Sequence, residues 1–148
     1  MNAGTIQNIR GNSPVEGGAV HVNNGTFTMN SGSITSNYGN RGGGVFIRNG
    51  TFNMRGGGIG GNSAMVGGGV FISQNGNFTK TGGTIVGDPD NTAISGNRVH
   101  TADVRDGILV YNGHAVAVEG VWKLKNTTSG PEDHLSWNGS TFSGIWCY

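Results

Sequence analysis

The sequence predicts an all-β protein, a right-handed parallel β-helix of about 25-residue coils closed by a C-terminal cap. Three observations predict it. Residues 17–41, 42–66 and 67–88 are copies of one passage that start 25 residues apart, and a fixed period in this range is the signature of stacked repeats. Each copy holds short runs in which apolar residues alternate, the two-residue period of a half-buried strand. Between the runs stand Gly-Gly, Asn-Gly and Gly-Asn pairs, the residues that tolerate the left-handed backbone of tight corners. Like strands in successive copies can align only if the chain winds, laying each strand in parallel on its equivalent one coil later. Right-handed winding follows from the handedness of parallel crossovers.

The first run of each copy is Val20-His21-Val22, Val45-Phe46-Ile47 and Val70-Phe71-Ile72, and alternation sends the flanking aliphatics inward. The second run places Phe27, Phe52 and Phe78 inward with Met29 and Met54 beside them. A third pairs an isoleucine with an asparagine three residues on: Ile34 with Asn37 and Ile59 with Asn62. The pair recurs at Ile9 with Asn12 and at Ile94 with Asn97. Three strands per coil are therefore expected. Asn12, Asn37 and Asn62 are expected to stack inside one corner as a structural amide ladder.

Residues 1–16 read as a partial coil, because MNAGTI resembles MNSGSI at 29–34. The chain then begins in mid-coil and leaves an open edge there, with no export signal in view. The period breaks after Gly87, and residues 88–107 read as an insertion opened by the turn Asp-Pro-Asp-Asn. Residues 108–111 and 115–118 return to strand character and are assigned to the last coils of a repeat region spanning 1–118. The tail, 119–148, holds all three tryptophans and the single cysteine. Asn138-Gly139 between two strand-like runs signals a hairpin there, and the tail is assigned as the cap that covers the last coil.

The combination of Gly-Gly-Gly-Val, Gly-Thr-Phe-Thr-Met and Gly-Gly-x-Ile-x-Gly-Asn elements resembles the bacterial surface and autotransporter-like β-helix repeat proteins, among them the polymorphic outer-membrane protein repeats. The resemblance is close over 17–87 and loose over 1–16, and LKNTTSGP at 124–131 is similar to the element that closes such arrays. It implies an exported, extracellular or cell-surface protein of structural or adhesive use, and it transfers no catalytic residue.

Composition narrows the chemistry. A net charge of +1 with 11% charged residues suggests neither nucleic acid nor membrane as a partner, and no stretch is long enough to span a bilayer. Thirty glycines in 148 residues do not fall at every third position, which excludes collagen. Glycoside cleavage needs two carboxyl groups, and Glu16 is the single acid before Asp88. Only the insertion, with Asp88, Asp90, Asp103 and Asp106, offers a carbohydrate-binding or carbohydrate-cleaving site. No cofactor or metal is expected, since His21, His100, His114 and His134 show no ligand spacing and Cys147 is alone.

The same alternation that buries the valines turns His21, Phe46, Phe71 and Leu109 outward. Stacked, they form an apolar strip, which marks a partner or a cover. The strip is open to the C-terminal tail, to another copy of the chain, or to glycans. The leading expectation is a non-enzymatic solenoid that associates with itself, head to tail or laterally and as far as a filament, through its open end, this strip, or both.

Overall fold

In the computed structural model the chain is a β-solenoid, with no helix among the described residues. It describes residues 1–11, 17–73, 75–87, 97–99, 103–105, 108–110, 116–118, 121–125, 135–137 and 142–144, with side chains up to Asn97 and at Val116 and Ala117.

Each complete coil has four strands. The valine face stacks β2 (Val20–Val22), β6 (Val45–Ile47) and β10 (Val70–Ile72) in parallel, with Val20 on Val45 on Val70. The phenylalanine face stacks β3 (Thr26–Met29), β7 (Thr51–Met54) and β11 (Asn77–Lys80). The isoleucine face stacks β1 (Thr5–Gln7), β4 (Ser33–Thr35), β8 (Gly58–Gly60) and β12 (Thr84–Ile85). The fourth face, which the sequence did not predict, stacks β5 (Tyr38–Arg41), β9 (Ser63–Val66) and β13 (Arg98–Val99). Its sequences, YGNR and SAMV, carry no apolar alternation because Gly39 and Ala64 fill the inward slot.

The core is a bundle of self-stacked columns. Val22, Ile47 and Ile72 form one, Ile34, Ile59 and Ile85 a second, and all are at most 5% exposed. Phe27, Phe52 and Phe78 stack ring on ring at centroid separations of 5.3 and 5.5 Å. The neighbouring column runs Met29, Met54, Lys80, and the lysine, 0% exposed, is the one buried charge among the described residues. Its stem continues the methionine stack, since four methylenes occupy the same kind of slot as a thioether chain.

The asparagine ladder occupies the corner between the isoleucine face and the fourth face. Asn37 and Asn62 are buried, and Asn97, reached after the insertion, is their third member. In the first rung the equivalent position is taken by the backbone of Ile9, whose N–H donates to Asn37 Oδ1 at 3.0 Å. The phase of residues 1–11 therefore differs from the expectation. Ile6 lies on Ile34, an offset of 28 residues set by the MNAGTI match, while Ile9 is 44% exposed. Asn12 lies outside the described residues.

Glycine is required at the corner between the phenylalanine and isoleucine faces. Gly4, Gly32, Gly57 and Gly83 all have φ between 78° and 93°, and a Cβ on Gly57 would lie 2.5 Å from the carbonyl oxygen of Gly32. The left-handed backbone disfavours a side chain at all four, and at Gly32, Gly57 and Gly83 the tight stacking excludes one as well.

The coil that reaches Gly87 resumes at Asn97, which bridges Gly87 and donates to Val86 O. The next strand of the valine face is β16 (Val116–Val118), paired in parallel with β10. Between these, β14 (Asp103–Arg105) and β15 (Ile108–Val110) pair antiparallel as a separate two-stranded sheet. Residues 108–110 are thus not part of a coil, contrary to the reading of 108–111. The C-terminal strands bind two sheet edges in antiparallel sense. β17 (Val121–Lys125) lies on β16, and β18 (Leu135–Trp137) lies on β11 with β19 (Phe142–Gly144) outside it.

Candidate functional site

The strip expected on the outside of the valine face takes a different form. His21 lies on Phe46 and Phe46 on Phe71, with ring centroids 4.8 and 5.7 Å apart. The fourth residue of the column is Ala117, not Leu109, which belongs to the separate β14–β15 sheet. Only His21 is exposed. Phe46 is 1% and Phe71 4% accessible, so neither ring is available as a contact surface in the folded chain.

The cover is visible in the backbone. Each triple glycine joins a strand of the fourth face to the valine strand that follows. Gly42 doubles back so tightly, at φ 64°, that a Cβ there would lie 2.1 Å from Val45 O. This turn carries the end of the fourth face over the outside of the valine face. Val66 packs on the Phe46, Phe71 and Ala117 cluster, and the Arg41 guanidinium lies 5.4 Å from the Phe71 ring centre. The valine strands β6 and β10 are accordingly buried on both sides, an arrangement that alternation alone does not foretell.

Of the acidic residues, Asp88, Asp90 and Asp106 lie outside the described residues, and Asp103 opens β14, where only the backbone is described. Among the described residues no group of three His, Cys, Asp or Glu side chains could hold a metal ion. Nor, among the described residues, is any helix long and apolar enough to cross a membrane.

Among the described residues two kinds of accessible group offer directional contacts. The first is backbone. β1, β2 and β3 are the outermost strands of their sheets at one end of the stack. On β2, Val20 N donates to Gly44 O and Val22 O accepts from Arg48 N, so the groups of His21, between them, face the opposite side, where no described strand pairs with β2. On β3, Thr28 O accepts from the N-terminal amine of Met1. The second kind is the exposed guanidinium groups of Arg10, Arg48 and Arg55 at three different corners, which the sequence reading passed over. The signal was there in the scarcity of acids before Asp88.

Scans of protein-family models, of curated proteins and of solved structures return no match to this chain.

Proposed function

We propose that the protein is a non-enzymatic, exported β-solenoid, a structural or adhesive surface module that pairs with a second copy of itself through the outer strand edges of β1 and β2. The observation that carries this reading is the difference between the two ends. At one end the valine and phenylalanine sheets finish in antiparallel strands, β17 and the β18–β19 hairpin. At the other, β1 and β2 pair with a strand on one side only among the described residues. An unpaired strand edge is a template for another chain.

The unlike ends favour closure over growth. β17 is the outer strand of the valine sheet and carries Lys123 and Lys125, the kind of charged edge that resists further pairing. Two copies related by a two-fold axis bring β2 against its own equivalent in antiparallel register, an isologous contact that ends with the dimer. Lateral association through Phe46 and Phe71 is dropped because both rings are buried. Surface location and adhesive use rest on the resemblance to surface β-helix repeats.

Light scattering over a concentration series tests the reading, with His21→Pro as the paired variant. Proline removes the N–H that faces the open edge and none that bonds to β6, so the fold is retained while association is lost. A wild-type protein that stays monomeric at every concentration overturns the proposal.

A further inference from the structure

The charges of this chain are divided along its length. Through Gly87 it has five cations, Arg10, Arg41, Arg48, Arg55 and Lys80, against one acid, Glu16; the remaining residues hold seven acids and four cations. The coils are therefore positive although the whole is near neutral. Two of these cations flank the isoleucine face. Arg55 stands three residues before β8, at one margin, and Arg10 three residues after β1, at the other. Both are exposed, and among the described residues neither has an ion-pair partner. They sit two strand spacings apart along the solenoid, about 10 Å.

The surface between them is polar. With Ile6, Ile34, Ile59 and Ile85 turned inward, the outward residues are Thr5, Ser33, Gly58 and Thr84 in one file, beginning with a Thr5 to Ser33 hydroxyl hydrogen bond of 3.0 Å. Gly58 is out of place by every local criterion. Its φ is not positive, and a Cβ built on it meets nothing within 4 Å. A strand glycine with neither reason weakens the strand, and one use of such a residue is to let a ligand approach the backbone. Gly58 thus opens a notch in a hydroxyl-bearing face, between two guanidinium groups.

We propose that the isoleucine face binds an acidic polysaccharide. A linear chain crossing the face obliquely meets Arg55 at one margin and Arg10 at the other with carboxylate or sulfate groups, which the guanidinium fork takes in bidentate fashion. Between them its sugar hydroxyls meet Ser33, Thr5 and Thr84 and its ring settles over Gly58. A single-stranded nucleic acid, another linear polyanion, binds through aromatic platforms, and this face has none among the described residues. The site is separate from the strand edges through which the chain is proposed to dimerise and does not depend on that reading.

The test is affinity electrophoresis and calorimetry with polygalacturonate, a neutral glucan and a single-stranded oligonucleotide of matched charge. The wild type is expected to bind polygalacturonate alone, and more weakly as salt is added. The Arg10→Gln, Arg55→Gln double variant is expected to lose roughly tenfold or more in affinity. Gly58→Val is expected to lose a similar factor, roughly tenfold, with an unchanged melting transition, because a β-branched residue suits an open strand position. Undiminished binding by either variant overturns the proposal, as does absence of binding by the wild type. Equal affinity for the oligonucleotide overturns the choice of a sugar ligand.

Discussion

The side-chain oxygen of Asn62 accepts two hydrogen bonds from Asn37, one from its backbone N–H at 3.1 Å and one from its side-chain amide at 2.9 Å. Asn62 repeats the contact one coil on, donating its own N–H and amide to Asn97 Oδ1, and its amide also reaches Ile34 O. Asparagine alone can both donate and accept in this slot at this length. Asn62→Ala leaves two buried donors of Asn37, its backbone N–H and one amide hydrogen, without their acceptor, while the backbone N–H of residue 62 still reaches Asn97 Oδ1. At about 1–3 kcal/mol for each orphaned group the coil should lose about 3 kcal/mol or more, read as a lower urea midpoint. Asn62→Asp should be no better tolerated at neutral pH, because a carboxylate cannot donate to Ile34 O.

Gly57 and Gly58 are neighbours with opposite requirements. Gly57 has φ 86° and no room for a Cβ, whereas Gly58 has open space. Gly57→Ala should cost about 2–4 kcal/mol from backbone strain and displacement of the Gly32 carbonyl. Gly58→Ala should be neutral or stabilising by up to about 1 kcal/mol, since it limits the unfolded chain at no cost to the folded one. Thermal denaturation of the two variants side by side measures the contrast.

Phe71 should behave as a core residue. Phe71→Ala should destabilise by about 3–5 kcal/mol and leave a cavity beneath Arg41. In the folded fraction, its oligomeric state by light scattering should match that of the wild type, since the ring is not on the surface.

Salt separates the two proposed contacts by sign. Dimers formed end to end bring together coils whose charges are nearly all positive, so association should strengthen as salt rises and screening increases. Polysaccharide binding through Arg10 and Arg55 should weaken under the same titration. A sedimentation series and a binding series in matched buffers report both.

The coil was legible in the sequence where side-chain size repeats. The valine, isoleucine and phenylalanine columns and the buried Asn37 and Asn62 follow directly from the 25-residue alignment. The fourth strand was not legible, because Gly39 and Ala64 turn inward and small residues produce no apolar alternation. Alternation also shows which way Phe46 and Phe71 point but not what lies above them. Their cover comes from the turn at Gly42 and from Val66 and Arg41, a relation between faces that no strand pattern encodes. In the first rung two alignments competed, and Ile6 was chosen over Ile9 because Thr5-Ile6-Gln7 pairs along its whole length with Ser33-Ile34-Thr35.

Lys80 sets a rule for how such an array can lengthen. Coil two ends its inner column with Met54, and a tandem copy of it would place methionine on methionine at every new rung. Coil three ends the same column with Lys80, and a copy of it would set two ammonium groups one strand spacing apart inside the core. Gene duplication can therefore extend this solenoid most simply from its middle coil, whose inner column adds no buried charge.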